Sequence, residues 1–178
     1  MKLEEIIKAS DAQVIKTIET IDNIEISTDT RTIKKGDFYL PLKGANFDGE
    51  DFLDKAIESG AIGCFVTRDS YPEKAQIILK VSDTLETYLK LANFYRHKIA
   101  PKVVAITGSS GKTTTKEMVF AVLKEKFKTV KTLSNHNNEI GLCQTIFSMA
   151  PDTEVLIVEM GMRGLGEIEL LSRYAEPD

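Results

Sequence analysis

Val103-Val104-Ala105-Ile106-Thr107-Gly108-Ser109-Ser110-Gly111-Lys112-Thr113-Thr114-Thr115 decides the fold. Four consecutive apolar residues read as a buried strand, the next six as a glycine-bearing loop, and Thr113 to Lys126 as a helix. Glycine lets a backbone fold around phosphate with its N–H groups turned inward, and the following helix presents a positive N-terminus. Gly108, Ser109, Ser110, Gly111, Lys112, Thr113 and Thr114 are therefore candidate contacts for ATP. Lys112 can reach the β- and γ-phosphates, and the Thr113 hydroxyl can ligate Mg²⁺. The competing reading is an ordinary glycine turn, which the strand before and the helix after disfavour. The standard pattern G-x-x-x-x-G-K-[ST] wants glycine where this chain has Ile106. The loop is the shorter G-x-x-G-K-T form, which weighs against common kinases and GTPases.

Downstream, a short strand is expected over Thr129 to Thr132, a polar loop over Leu133 to Glu139 and a helix over Ile140 to Met149. Val155 to Val158 reads as a second apolar strand and Glu167 to Tyr174 as a helix. Apolar strands separated by helices mean a parallel sheet covered on both faces. Val103 to Ile106 and Val155 to Val158 should then be neighbours, with Lys112 and Glu159 at one edge. A carboxylate directly after four apolar strand residues is a candidate Mg²⁺ ligand; a solvated surface Glu is the alternative. Residues 160–166 are too glycine-rich for helix. Asn135-His136-Asn137-Asn138-Glu139-Ile140-Gly141 reads equally as turn and cap residues or as a functional loop, and His136 taken alone as a surface histidine.

Upstream, Leu3, Ile6 and Ile7 have helical spacing, and Ile24 to Ile33 is strand-like. Phe38 to Leu42 is a strand, Lys43 to Gly49 a glycine-bearing loop, and Asp51 to Ser59 a helix closed by Gly60. Ile62 to Val66 and Ile77 to Val81 are short buried strands, and Ser82 or Asp83 caps a helix to about Lys98. This gives an α/β chain with domains at 1–82 and 83–178, the second too short after Pro101 to be complete. Ser27-Thr28-Asp29-Thr30-Arg31, Lys43-Gly44 and Asn46-Phe47-Asp48-Gly49 offer hydroxyls, carboxylates and cations that can hold a pyrimidine and a pyrophosphate. A turn with a surface ion pair explains Asp29 and Arg31 equally well. Composition excludes less common classes. Of 178 residues 42% are hydrophobic and 28% charged, the net charge is −4, and no basic arm suggests nucleic acid. No apolar run nears the ~20 residues of a membrane span, and Cys64 and Cys143 read as buried free thiols.

Taken in order, these motifs resemble the Mur ligase family over essentially the whole chain. The segment 107–115 is similar to that family's short phosphate loop. Lys116-Glu117-Met118, the asparagine segment, Glu159-Met160-Gly161-Met162-Arg163 and Gly166-Glu167-Ile168 resemble the branch that adds D-alanyl-D-alanine. Asp29-Thr30-Arg31, Gly36-Asp37 and Phe47-Asp48-Gly49 resemble the family's uridine-nucleotide domain. Cys143 stands where proline is common. The resemblance implies a three-domain cytoplasmic enzyme of peptidoglycan synthesis, expected to be a monomer, of which this chain is the first part. ATP would phosphorylate the carboxylate of UDP-N-acetylmuramoyl-tripeptide, and the amine of D-alanyl-D-alanine would attack the acyl phosphate. Lys112 and Glu159 would be catalytic and Thr113 and Glu159 would hold Mg²⁺. Ser27, Thr28, Asp29, Arg31, Lys43, Asn46, Asp48, Asn135 and Asn138 would contact the UDP-sugar substrate. The rivals are a sister ligase adding a diamino acid or glutamate, and a nucleotide-binding module without turnover.

Overall fold

The computed structural model describes every residue of the chain except Glu19, Thr20, Ala45 and Asn135. The predicted substrate contact Asn135 thus lies outside the described residues. The chain forms two compact units, Met1–Leu91 and Ala92–Asp178. The division falls inside a helix (α3, Thr84–Ile99) rather than at Ser82. Asp83 starts that helix: its Oδ1 accepts the Glu86 N–H at 2.8 Å.

The first unit opens with α1 (Leu3–Ser10), which buries Leu3 and Ile6. Five strands follow: β1 (Gln13–Lys16), β2 (Ile26–Ser27), β3 (Phe38–Tyr39), β4 (Gly63–Val66) and β5 (Ile77–Lys80). They form one sheet in the order β1-β5-β4-β3-β2, in which β2 to β5 are parallel and β1 pairs antiparallel with β5. Sequence reasoning missed β1 because its burial is low at every position, with no apolar face to set a period. The strand expected from Ile24 to Ile33 is only two residues long. After Ser27 the chain turns, and the Arg31 N–H donates to Asp29 Oδ1 and the Thr32 N–H to the Asp29 carbonyl. The helix expected over 51–59 is a 3-10 turn (Gly49–Phe52) followed by α2 (Leu53–Glu58). Asp48 caps the turn through the Glu50 N–H, which starts it ahead of the expected position. Tyr39, Leu53, Ala56, Cys64, Val66 and Ile78 fill the core between α2 and the sheet.

The second unit runs β6 (Lys102–Ile106), α4 (Lys112–Leu123), β7 (Thr129–Lys131), α5 (Glu139–Phe147), β8 (Val155–Glu159) and α6 (Glu167–Ala175). All three strands are parallel, in the order β6-β8-β7. Ile106 pairs with Glu159, so the loop after β6 and the end of β8 share one edge. Central β8 is buried at every position, as its apolar run predicts. β6 is not: only Val103 is fully buried, because β6 is the edge strand of this sheet. Among the described residues no helix is long and apolar enough to cross a membrane.

Candidate nucleotide and metal site

The loop between β6 and α4 turns on Gly111, whose φ of +74° is left-handed and favours glycine. Gly111 is the N-cap of α4, and the first turn of that helix carries no acidic residue. The helix itself thus places no carboxylate against the N–H groups and positive dipole end that it turns to the loop. Lys112 folds back across the loop, its Nζ donating to the Gly108 carbonyl at 2.8 Å. It borders two cavities. One of about 430 Å³ is lined by Thr107, Gly108, Ser109, Met162 and Ile168 besides Lys112. The other, about 670 Å³, includes His136, Asn137, Asn138, Arg163 and Glu167 in its wall.

Glu159 ends β8 with only 4% of its surface exposed. Its Oε2 accepts the Thr113 hydroxyl at 3.0 Å and faces Lys116 Nζ at 3.3 Å. Its Oε1 accepts Asn137 Nδ2 at 3.2 Å, and its own N–H donates to Thr132 Oγ1 at 3.0 Å. Burial pushes the carboxyl up, but the hydrogen bonds from Asn137, Thr113 and Lys116 outweigh it and hold the group below its ordinary range. Glu159 is thus a buried, oriented carboxylate beside a threonine hydroxyl. Hard oxygen donors of this kind fit Mg²⁺, which takes one or two protein ligands and completes its shell with water and phosphate oxygens. Among the described residues no cluster of three His, Cys, Asp or Glu gathers elsewhere for a metal.

The asparagine segment divides by role. Asn137 reaches Glu159, and its carbonyl accepts the Gly161 N–H at 2.8 Å. A Cβ at Gly161 would lie 2.8 Å from the Asn137 amide, so glycine is required for this approach. Asn138, expected among the substrate contacts, is the N-cap of α5: its Oδ1 accepts the Gly141 N–H at 3.0 Å. The cap reading that the sequence left open is what its oxygen does. Sequence reasoning did not assign Lys116, Asn137 or Thr132 to the Glu159 carboxylate. Lys116 had a usable signal, since four residues after Lys112 puts it one helical turn along the same face.

The first unit brings several predicted contacts to the carboxyl ends of parallel strands, where ligands of open α/β sheets sit. Ser27 and Tyr39 end β2 and β3. Asp29 grips the Arg31 guanidinium through Nε at 2.9 Å and Nη2 at 2.6 Å. The Arg31 side chain holds the Asp29 carboxyl down at about 2. Asp48 is also engaged: it accepts the Glu50 N–H at 3.0 Å and Arg68 Nη2 at 2.6 Å. The Tyr39 hydroxyl is pushed up to about 12, by burial first and then by Asp29 and Asp48, so both carboxylates bear on one strand end. Thr28 is half-buried there, whereas Lys43 and Asn46 are exposed on the following loop. Arg68 escaped sequence reasoning because it lies beyond β4 and meets Asp48 and Glu50 only through the fold.

A parallel sheet carrying a short phosphate loop, with a buried carboxylate at the adjacent strand end, defines the second unit as a phosphate-loop α/β unit. Residues 106–178 match the Mur ligase middle domain, and residues 24–96 match the Mur ligase family, catalytic domain. The chain belongs to the Mur ligase family. It is 43% identical over 155 residues to the UDP-N-acetylmuramoyl-tripeptide--D-alanyl-D-alanine ligase of Bacillus subtilis (strain 168), covering 86% of this chain and 34% of that protein. Crystal structure I of MurF from Acinetobacter baumannii superposes with a TM-score of 0.90 at 31% identity, over 98% of this chain and 38% of that one. MurF ligase from Thermotoga maritima in complex with ADP gives 0.78 at 35% identity, over 86% of this chain and 35% of that one. The chain thus spans about a third of the length of the relatives it matches.

Proposed function

We propose that this chain is the substrate- and nucleotide-binding part of an ATP-dependent ligase joining D-alanyl-D-alanine to UDP-N-acetylmuramoyl-tripeptide in peptidoglycan precursor synthesis. The observation that carries the reading is the shared edge of Lys112, Thr113 and Glu159, supported by relatives named for that reaction, one of them in complex with ADP. In the reaction a carboxylate oxygen of the tripeptide attacks the γ-phosphorus of ATP, and the bond to the ADP oxygen breaks. The amine of the dipeptide then attacks the acyl carbon, phosphate leaves, and the nitrogen gives up a proton. Lys112 neutralises charge on the transferring phosphoryl group, and the loop N–H groups hold the β-phosphate side. Thr113 and Glu159 would hold Mg²⁺, which would supply positive charge to offset that of the phosphates. Glu159 stays anionic and fixed for that purpose by Asn137 and Thr113.

The domain roles follow the same reading: residues 1 to about 82 hold the uridine nucleotide and the remainder binds ATP. By itself the chain binds both ligands without ligation, and the whole reaction, which consumes ATP, belongs in the cytoplasm. Phosphate release by the complete ligase tests the assignment. It should require ATP, UDP-N-acetylmuramoyl-tripeptide and D-alanyl-D-alanine together. Equal release with a diamino acid in place of the dipeptide would assign the chain to a sister ligase.

A further inference from the structure

In α4 the one buried residue is a lysine. Lys116 has no exposed surface, whereas Met118 and Val122 on the same helix are 66% and 72% exposed. Its Nζ lies 3.3 Å from Glu159 Oε2, 3.7 Å from Glu117 Oε1 and donates to the Ser134 carbonyl at 3.4 Å. Glu117 is itself paired with Lys131, so the closest counter-ion that is buried with Lys116 is Glu159. Burying an ammonium is costly unless it is paired, and a helix that only needed packing here would use an apolar side chain. The phosphate chemistry already has its cation in Lys112, which projects to the loop. Lys116 acts on the opposite partner, the carboxylate.

The charges on this pair set what the site accepts. Glu159 and Lys116 together are neutral, and a divalent cation at Oε2 would sit beside the ammonium. Two like charges a few ångströms apart in a poorly solvated pocket repel strongly. Only a ligand bringing its own negative charge restores the balance, and nucleotide phosphates do. We propose that Lys116 is a positioning residue that balances the charge of the anionic Glu159, so that the divalent ion is admitted with the nucleotide and not before it. The proposal rests on reading Glu159 as the metal-holding carboxylate.

Mn²⁺ binding to the chain, followed by electron paramagnetic resonance with and without ADP, tests it. The wild-type chain should bind Mn²⁺ weakly alone and at least ~10-fold more tightly with ADP. Lys116→Met should bind Mn²⁺ alone ~10-fold more tightly than wild type, with a smaller change when ADP is present. Lys116→Arg should restore the wild-type order. Unchanged or weaker Mn²⁺ binding by folded Lys116→Met would overturn the proposal. So would wild-type protein binding Mn²⁺ as tightly without ADP as with it, a result that decides the matter even if Lys116→Met does not fold. Glu159→Gln separates the two layers: it should abolish the ADP-dependent Mn²⁺ signal. If that signal survives in Glu159→Gln, the metal assignment itself is wrong; if it is lost while Lys116→Met changes nothing, only the role of Lys116 fails.

Discussion

Lys112 Nζ donates to the Gly108 carbonyl of the loop it would close over phosphate. Lys112→Ala in the complete ligase should therefore lower kcat by ~10²-fold or more while moving stability by no more than about 0.5 kcal/mol. A steady-state phosphate assay and a thermal melt check the two halves. Asp29 gives a second residue-scale prediction. Its carboxyl is held at about 2 against an ordinary 3.8, first by the Arg31 side chain. Because the folded value is depressed, its contribution to stability is present above 3.8 and is lost as pH falls through about 2. A carboxyl carbon-13 titration should show that midpoint, and Arg31→Ala should return it towards the ordinary value. Lys112, Thr113 and Glu159 could be named from sequence because local context places them: a loop between strand and helix, and an acid after an apolar run. Asn137 and Thr132 could not be assigned to Glu159, since separate segments deliver them and only the sheet order brings those segments to the end of β8.

Elements were legible where burial is strong and continuous. β8, β4 and β5 emerged from apolar runs, β2 lay inside a stretch that read as a longer strand, and β1, at the other edge of the sheet, gave no period to read. Side-chain caps start α3 and α5, and α5 makes their contribution testable. Asn138 holds the Gly141 N–H, so Asn138→Ala should lower the stability of the chain by about 1 kcal/mol in a urea melt, and Asn138→Asp should retain most of it. Equal losses in both variants would mean that the cap oxygen is not what matters. In the first unit the 3-10 turn is tied to β4 by Glu50, whose Oε1 accepts the Thr67 N–H at 2.9 Å and the Thr67 hydroxyl at 2.5 Å. Glu50→Ala leaves those donors unpaired and should cost roughly 1–3 kcal/mol by the same measurement.

Across the whole molecule the proposed reading has two sites on two units, one built from carboxylates and a guanidinium at the ends of β2 and β3, the other from the phosphate loop and Glu159. An acidic chain can bind phosphates when the cation and the helix dipole are local, which net charge does not reveal. The two sites should respond independently to substitution. UDP-N-acetylmuramoyl-tripeptide binding should fall in Arg31→Ala and hardly change in Lys112→Ala. The most direct test of the central claim is calorimetric titration of ATP with Mg²⁺ into the wild-type chain and Lys112→Ala. One saturable site should appear in the wild type, with affinity lowered at least ~10-fold in the variant. An absence of saturable binding, or equal affinity in the two proteins, would contradict the placement of the nucleotide at this loop.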